Sequence, residues 1–184
     1  QTLISESYQV DNQKIKQINP GVDYELFVPD QSIDRENIFL SIGRIQQQKG
    51  QLETLRFLNS FKEVETDFMC YFVGGPSGSS GDEYLSELKE SVKELSLSSH
   101  VEFLGNLPQV DIRNLLNSAK LLIHTSQYET FGLVAIEANS MGVPVLTTNN
   151  GSMQEIITNK ENGYLVDGLD YQDVSISIKN LIND

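Results

Sequence analysis

The apolar positions of the chain gather into six short runs separated by longer stretches of helical spacing. The runs are Ile38–Gly43, Asp67–Val73, Val101–Leu104, Lys120–Ser126, Val143–Thr147 and Gly163–Val166. Each is brief and apolar on both faces, which predicts strands of a parallel sheet covered on two sides. Between the first two, Leu52, Leu55, Phe57 and Leu58 predict a helix over Lys49–Phe61. Leu85, Leu88, Val92 and Leu95 form one stripe of a helix over Asp82–Leu97, with Asp82 expected at its N-cap. A helix over Pro108–Ala119 carries Pro near its first turn, and Ile112, Leu115, Leu116 and Ala119 on one face. Three more are predicted over 132–141, Ser152–Thr158 and Tyr171–Ile182. Strands alternating with helices define a doubly wound α/β domain with right-handed crossovers. Ligands of such sheets sit at the carboxyl ends of the strands.

Ahead of this pattern, residues 1–14 are mixed and polar and read as a connecting segment. Lys16–Pro20 and Gly21–Pro29 read as a turn between extended pieces, and 30–36 as a polar linker.

The stretch Ser126–Val145 organises the rest. It joins two predicted strands through a loop, a glycine and a helix, and carries Glu129 and Glu137. Glu137 stands among Leu133, Val134, Ala135, Ile136 and Ala138. A carboxylate there must face water or find a partner, because an unpaired buried charge costs several kcal/mol. Spacing alone leaves a solvent face shared with Ser140 and a ligand role equally open.

Composition narrows the function. The 184 residues suit one domain, and 39% hydrophobic with 21% charged residues is ordinary for a globular protein. A formal net charge of −13 opposes nucleic-acid binding and a basic membrane-surface patch. It also makes each of the 13 Lys and Arg residues more informative. The lone Cys70 rules out an internal disulfide and reads as a core residue. No apolar run is long enough for a transmembrane helix. The chain begins at Gln1, without a signal-peptide pattern, and reads as a piece of something longer.

The candidate chemistry lies just after the strands. Gly43 is followed by Arg44 and, five positions on, Lys49. Lys49 is expected in the first helical turn, where a cation opposes the helix dipole unless an anion is near. With free backbone N–H groups at the helix start, the two cations suit a diphosphate; equally, they are two solvated surface charges. Gly74–Gly81 holds four of the 13 glycines but matches neither the dinucleotide fingerprint nor the P-loop. It is a flexible loop, or a place where ligand or backbone approaches closely. Gly105-Asn106-Leu107-Pro108 is a simple turn, or a backbone edge against a flat ring. Gly132 opens a helix after Glu129, Thr130 and Phe131, which exposes backbone donors. His124 reads as a strand residue and His100 as a surface turn residue, neither at metal or triad spacing.

Taken together, Gly43-Arg44, Lys49-Gly50 and the E-x7-E pair Glu129 and Glu137 resemble the carboxy-terminal domain of retaining glycosyltransferases of family 4. Asn19-Pro20-Gly21-Val22-Asp23 with Phe27-Val28-Pro29, Val73-Gly74-Gly75-Pro76, Phe103-Leu104-Gly105, Met141-Gly142-Val143-Pro144-Val145 and Asn162-Gly163-Tyr164-Leu165-Val166 follow in that family's order. The resemblance runs from about Lys14 to the end, and the glycine-rich loop resembles the sucrose-phosphate-synthase-like branch. Where the family usually has Pro before Glu155, this chain has Gln154.

The resemblance implies a Rossmann-like sheet, the carboxy-terminal half of a GT-B fold, over 15–184, with 1–14 the tail of an absent amino-terminal domain. It implies a donor-binding domain that helps transfer a hexosyl group, with retention, from a UDP- or GDP-sugar to an acceptor hydroxyl, without metal or other cofactor. Arg44 and Lys49 would bind the diphosphate and stabilise the leaving group. Glu129 would hold the sugar hydroxyls, and Glu137 those of the ribose. Gly43 and the segment Phe131, Gly132, Leu133 and Val134 would face the donor, with Leu107 touching the base through its backbone. The acceptor, whether glycan, lipid or small molecule, would lie on the absent domain. The fragment is therefore expected to bind donor weakly and not to turn over, and its last crossing helix is expected beyond Asp184. A cytoplasmic location follows, with peripheral membrane association left open for the full-length enzyme. A nucleotide-sugar epimerase of the same architecture and a non-catalytic α/β nucleotide-binding or receiver module are the rival readings. A receiver requires acidic residues at the first strand tip, where this chain has Arg44.

Overall fold

The computed structural model describes residues 7–16, 18–166 and 171–183. The opening of the expected connector, residues 1–6, and Gln17 within the expected Lys16–Pro20 turn lie outside the described residues. Six parallel strands form one sheet: β1 (Ile38–Ile42), β2 (Met69–Val73), β3 (Val101–Gly105), β4 (Leu121–His124), β5 (Val145–Thr148) and β6 (Gly163–Val166), in the order β3-β2-β1-β4-β5-β6. The doubly wound Rossmann-like fold is thus as expected. The chain builds outward from β1 to β3, then returns to lay β4 on the other side of β1. The sheet therefore changes direction between β1 and β4, where Phe39 pairs with Leu121 and Leu40 with Leu122. In open α/β sheets a crevice forms at that point because neighbouring connections leave on opposite faces.

Both faces are covered. Helices α1 (Gln51–Lys62), α2 (Gly81–Glu94) and α6 (Tyr171–Asn183) pack on one, and α3 (Gln109–Ser118), α4 (Leu133–Ser140) and the one-turn α5 (Met153–Ile156) on the other. Successive strand residues serve opposite layers. Phe39 joins Phe57, Phe61 and Phe68 in one core, while Leu40 joins Leu116, Ala135 and Val145 in the other. Phe39 and Phe61 meet edge to face at 5.1 Å. Cys70 is fully buried.

Several local expectations are revised. Asp82 is not an N-cap: α2 begins at Gly81, so Asp82 lies in the first turn, where a carboxylate favours the positive end of the dipole. Lys49 is not in a helical first turn; it ends a separate 3-10 turn, Gln47–Lys49, before Gly50 starts α1. His100 is not a bare turn residue, because its ring stacks on Phe68 at 4.6 Å and its Nδ1 lies 3.1 Å from the Phe68 carbonyl. The polar linker 30–36 is tied down. Asp30 N–H donates to Asn117 Oδ1 at 2.8 Å, and the Arg35 guanidinium donates to the Met141 and Gly142 carbonyls at 2.6 and 2.7 Å. These last two bonds satisfy carbonyls left free at the end of α4.

One glycine decides how the loops after β1 and β4 meet. Gly50 has φ of 69°, and a Cβ there would collide with the Thr125 carbonyl. The Thr125 hydroxyl donates to the Gly50 carbonyl at 2.7 Å and lies 2.8 Å from the Thr54 hydroxyl. Gly50→Ala must strain the backbone and push the two loops apart, so it should cost on the order of 2–4 kcal/mol. Urea unfolding of the variant against wild type measures that loss.

Candidate functional site

The loops after β1 and β4 enclose a hollow of about 340 Å³. Ile42, Gly43, Arg44 and Lys49 line one side; His124, Glu129, Thr130, Phe131, Gly132, Leu133, Val134 and Glu137 line the other. Every residue singled out from sequence is present except Leu107. That residue follows β3, two strands away from β1, and lines a different hollow with Leu104, Asp111 and Leu115.

The β1 side supplies positive charge. Arg44 is exposed at the strand tip, and no described residue pairs with its guanidinium. Its backbone is fixed instead, since the buried Gln51 donates from Nε2 to the Arg44 carbonyl at 2.8 Å. Lys49 is not a solvated cation. Its Nζ donates to Glu129 Oε2 at 2.7 Å, with the two side chains only 20% and 12% exposed. The tips of β1, β2 and β3 are stitched together by Gly43 N–H to the Val73 carbonyl at 2.9 Å and Gly74 N–H to the Gly105 carbonyl at 2.8 Å. A Cβ at Gly74 would strike the Gly43 carbonyl, so this glycine serves backbone approach.

The β4 side supplies the carboxylates and free donors. Glu129 Oε2 also lies 3.1 Å from His124 Nε2, and Oε1 accepts the Thr130 N–H at 3.2 Å. The His124 hydrogen bond, followed by Lys49, lowers the Glu129 carboxyl to about 2, although burial opposes the shift. An ionised carboxylate only accepts, so His124 donates from Nε2. Glu137 is the opposite case. It is half-buried, no described residue bonds its carboxylate, and desolvation raises its pKa. Gly132 begins α4 with φ of 76°. Among the described residues no acceptor takes the N–H of Phe131, Gly132, Leu133 or Val134. The hollow therefore holds one unpaired cation, one unpaired carboxylate, one ion pair and four free backbone donors.

His124, Thr130 and Ile42 were not singled out from sequence. His124 is a strand residue as expected, but it is the last of β4 and so faces the carboxyl-end crevice. Its place five residues before Glu129, at a strand end, was the available signal.

A six-stranded parallel sheet with its crevice at the switch point defines a doubly wound, Rossmann-like nucleotide-binding class of domain. The model of the family "Glycosyl transferases group 1" matches residues 24–184. The chain belongs to that family. D-inositol 3-phosphate glycosyltransferase of Corynebacterium urealyticum is 33% identical over 98% of this chain and 46% of its own length. The chain thus spans about half the length of the curated relatives it matches. The C-terminal domain of a glycosyl transferase group 1 protein (LpcC) from Francisella tularensis superposes with a TM-score of 0.75 at 27% identity, over 89% of each chain. HepE from Anabaena, solved in complex with UDP-glucose, shares the fold at a TM-score of 0.82 and 24% identity, over 97% of this chain and 50% of its own.

The lowered Glu129 pKa sets a pH dependence. The unfolded chain takes up this proton near 4.5 and the folded one only near 2. Between those values the unfolded state holds more protons, so stability falls as pH falls from about 4.5 to 2. The loss should be on the order of 2 kcal/mol after solvent screening. Glu129→Gln should flatten this slope, read as urea midpoints of both proteins across the window.

Proposed function

We propose that the chain is the donor-binding domain of a retaining glycosyltransferase that transfers a hexosyl group from a nucleoside-diphosphate sugar to an acceptor hydroxyl. One observation carries the reading: Arg44, Lys49, Glu129 and Glu137 meet around a single hollow at the switch point of the sheet. Charge separation during transfer leaves a nucleoside diphosphate, and fixed cations facing it lower the barrier without reorganisation. Arg44 and Lys49 take that role, with no metal ion required. The amides from Phe131 to Val134 complete the anion cradle at the start of α4. Glu129, held ionised, accepts hydrogen bonds from sugar hydroxyls. Glu137, half-buried and unpartnered, accepts from the ribose. In this reading the base extends across the β2 tip towards the Leu107 backbone. The names of the relatives support sugar transfer, and the match to a C-terminal domain supports the assignment of the half.

In this reading the acceptor binds outside this domain, so the domain alone should bind donor weakly and not turn over. Titration of the chain with UDP, GDP and ADP, and with their sugars, followed by NMR, is the direct test. Shifts at millimolar ligand in Gly43, Arg44 and Phe131–Val134 are expected; no shift with any of them contradicts the reading. In the full-length enzyme, Arg44→Ala and Lys49→Ala should each lower kcat/KM by on the order of 2–4 kcal/mol of transition-state stabilisation. Unchanged kinetics in both would remove the cations from the mechanism.

A further inference from the structure

The Glu129 carboxylate is held from two sides by groups of different mobility. Lys49 reaches Oε2 along an unbranched four-carbon stem at 2.7 Å. His124 reaches the same oxygen from the last position of β4 at 3.1 Å, with its side chain only 6% exposed. Its strand register, opposite Thr147, fixes where the ring starts. No described residue partners its Nδ1, so the bond to Glu129 accounts for its polarity inside the fold.

Resting on the donor-site reading above, we infer that His124 is a positioning residue: its Nε2–H keeps Glu129 aimed at the donor sugar when Lys49 turns from Glu129 to an incoming diphosphate. A diphosphate carries more charge than one carboxylate and competes for the ammonium. Lys can follow, because its compact charge sits on a flexible stem. Once it does, Glu129 loses its shorter bond and would swing or draw water in. His124 cannot follow, because its ring is buried at a strand end. It therefore preserves the orientation of a group that must grip hydroxyls within hydrogen-bond range. The nucleoside half of the ligand never contacts this pair, so the effect should be confined to the sugar.

The test compares UDP-glucose with UDP, and GDP-mannose with GDP, by calorimetry on the full-length protein and its variants His124→Phe, His124→Met and His124→Gln. The apolar variants should weaken sugar-nucleotide binding about tenfold while changing nucleoside-diphosphate binding less than threefold. His124→Gln, which restores an N–H donor, should bring the sugar nucleotide back within threefold of wild type. Folding of each variant is checked by thermal melting. Wild-type-like binding by the apolar variants overturns the inference. So does an equal loss of both ligands, failure of both apolar variants to fold, or failure of Gln to rescue, each of which marks a purely structural histidine. A wild type that binds neither pair overturns the donor-site reading and this inference with it, an outcome distinct from any variant effect.

Discussion

The site depends on a contact that carries no charge. Gly50 presses its backbone against Thr125, and two hydroxyls, Thr125 and Thr54, close the gap. Gly50 directly follows Lys49, and Thr125 directly follows His124. One backbone contact thus fixes where a cation leaves the β1 loop and where the β4 loop sets out toward Glu129. Only glycine permits it, because φ at this position is positive and no Cβ fits. The same loop is held from its far side, where the Thr148 hydroxyl donates to the Ser126 carbonyl at 2.7 Å. The crevice of a doubly wound sheet arises from topology, but its dimensions here come from these few backbone and hydroxyl contacts.

Within that frame the charges divide into satisfied and unsatisfied groups. Lys49 and His124 both donate to Glu129, which is how a mostly buried carboxylate stays ionised. Arg44 and Glu137, both lining the hollow, have no side-chain partner among the described residues. The amides opening α4 likewise have no acceptor among the described residues. Of the two side chains only Glu137 is half-buried, so its carboxylate alone is desolvated without a bonding partner among the described residues. The formal net charge of −13 makes the local concentration of Arg44 and Lys49 more telling, since the protein as a whole repels anions.

Much of this was legible in the residues. The six strands are where the short two-faced apolar runs place them, because a parallel sheet buries both faces and leaves no polar alternation. Edges shifted by a residue or two: the run Lys120–Ser126 yields β4 over Leu121–His124, since Thr125 and Ser126 spend their hydroxyls on loop contacts. Asp82 looked like a cap because acidic residues favour both the cap and the first turn, and spacing does not separate the two. Lys49 was left open between a diphosphate partner and solvent, because its carboxylate partner lies 80 residues away in sequence. His124 was read only as a strand residue, since its contact with Glu129 requires knowing which way the next loop folds back. Leu107 was grouped with the donor residues by resemblance; it follows β3, two strands from β1, and lies outside the hollow that holds the others.

The central claim is that a nucleotide sugar occupies the crevice between β1 and β4. The most direct measurement is a crystal structure with UDP-glucose bound. The account predicts the diphosphate between Arg44, Lys49 and the amides of Phe131–Val134, with the ribose at Glu137 and the hexose at Glu129. It is contradicted if the nucleotide settles elsewhere, for instance in the hollow of about 700 Å³ at the amino-terminal ends of β1 to β4, lined by Arg35, Asp67, His100 and Lys120.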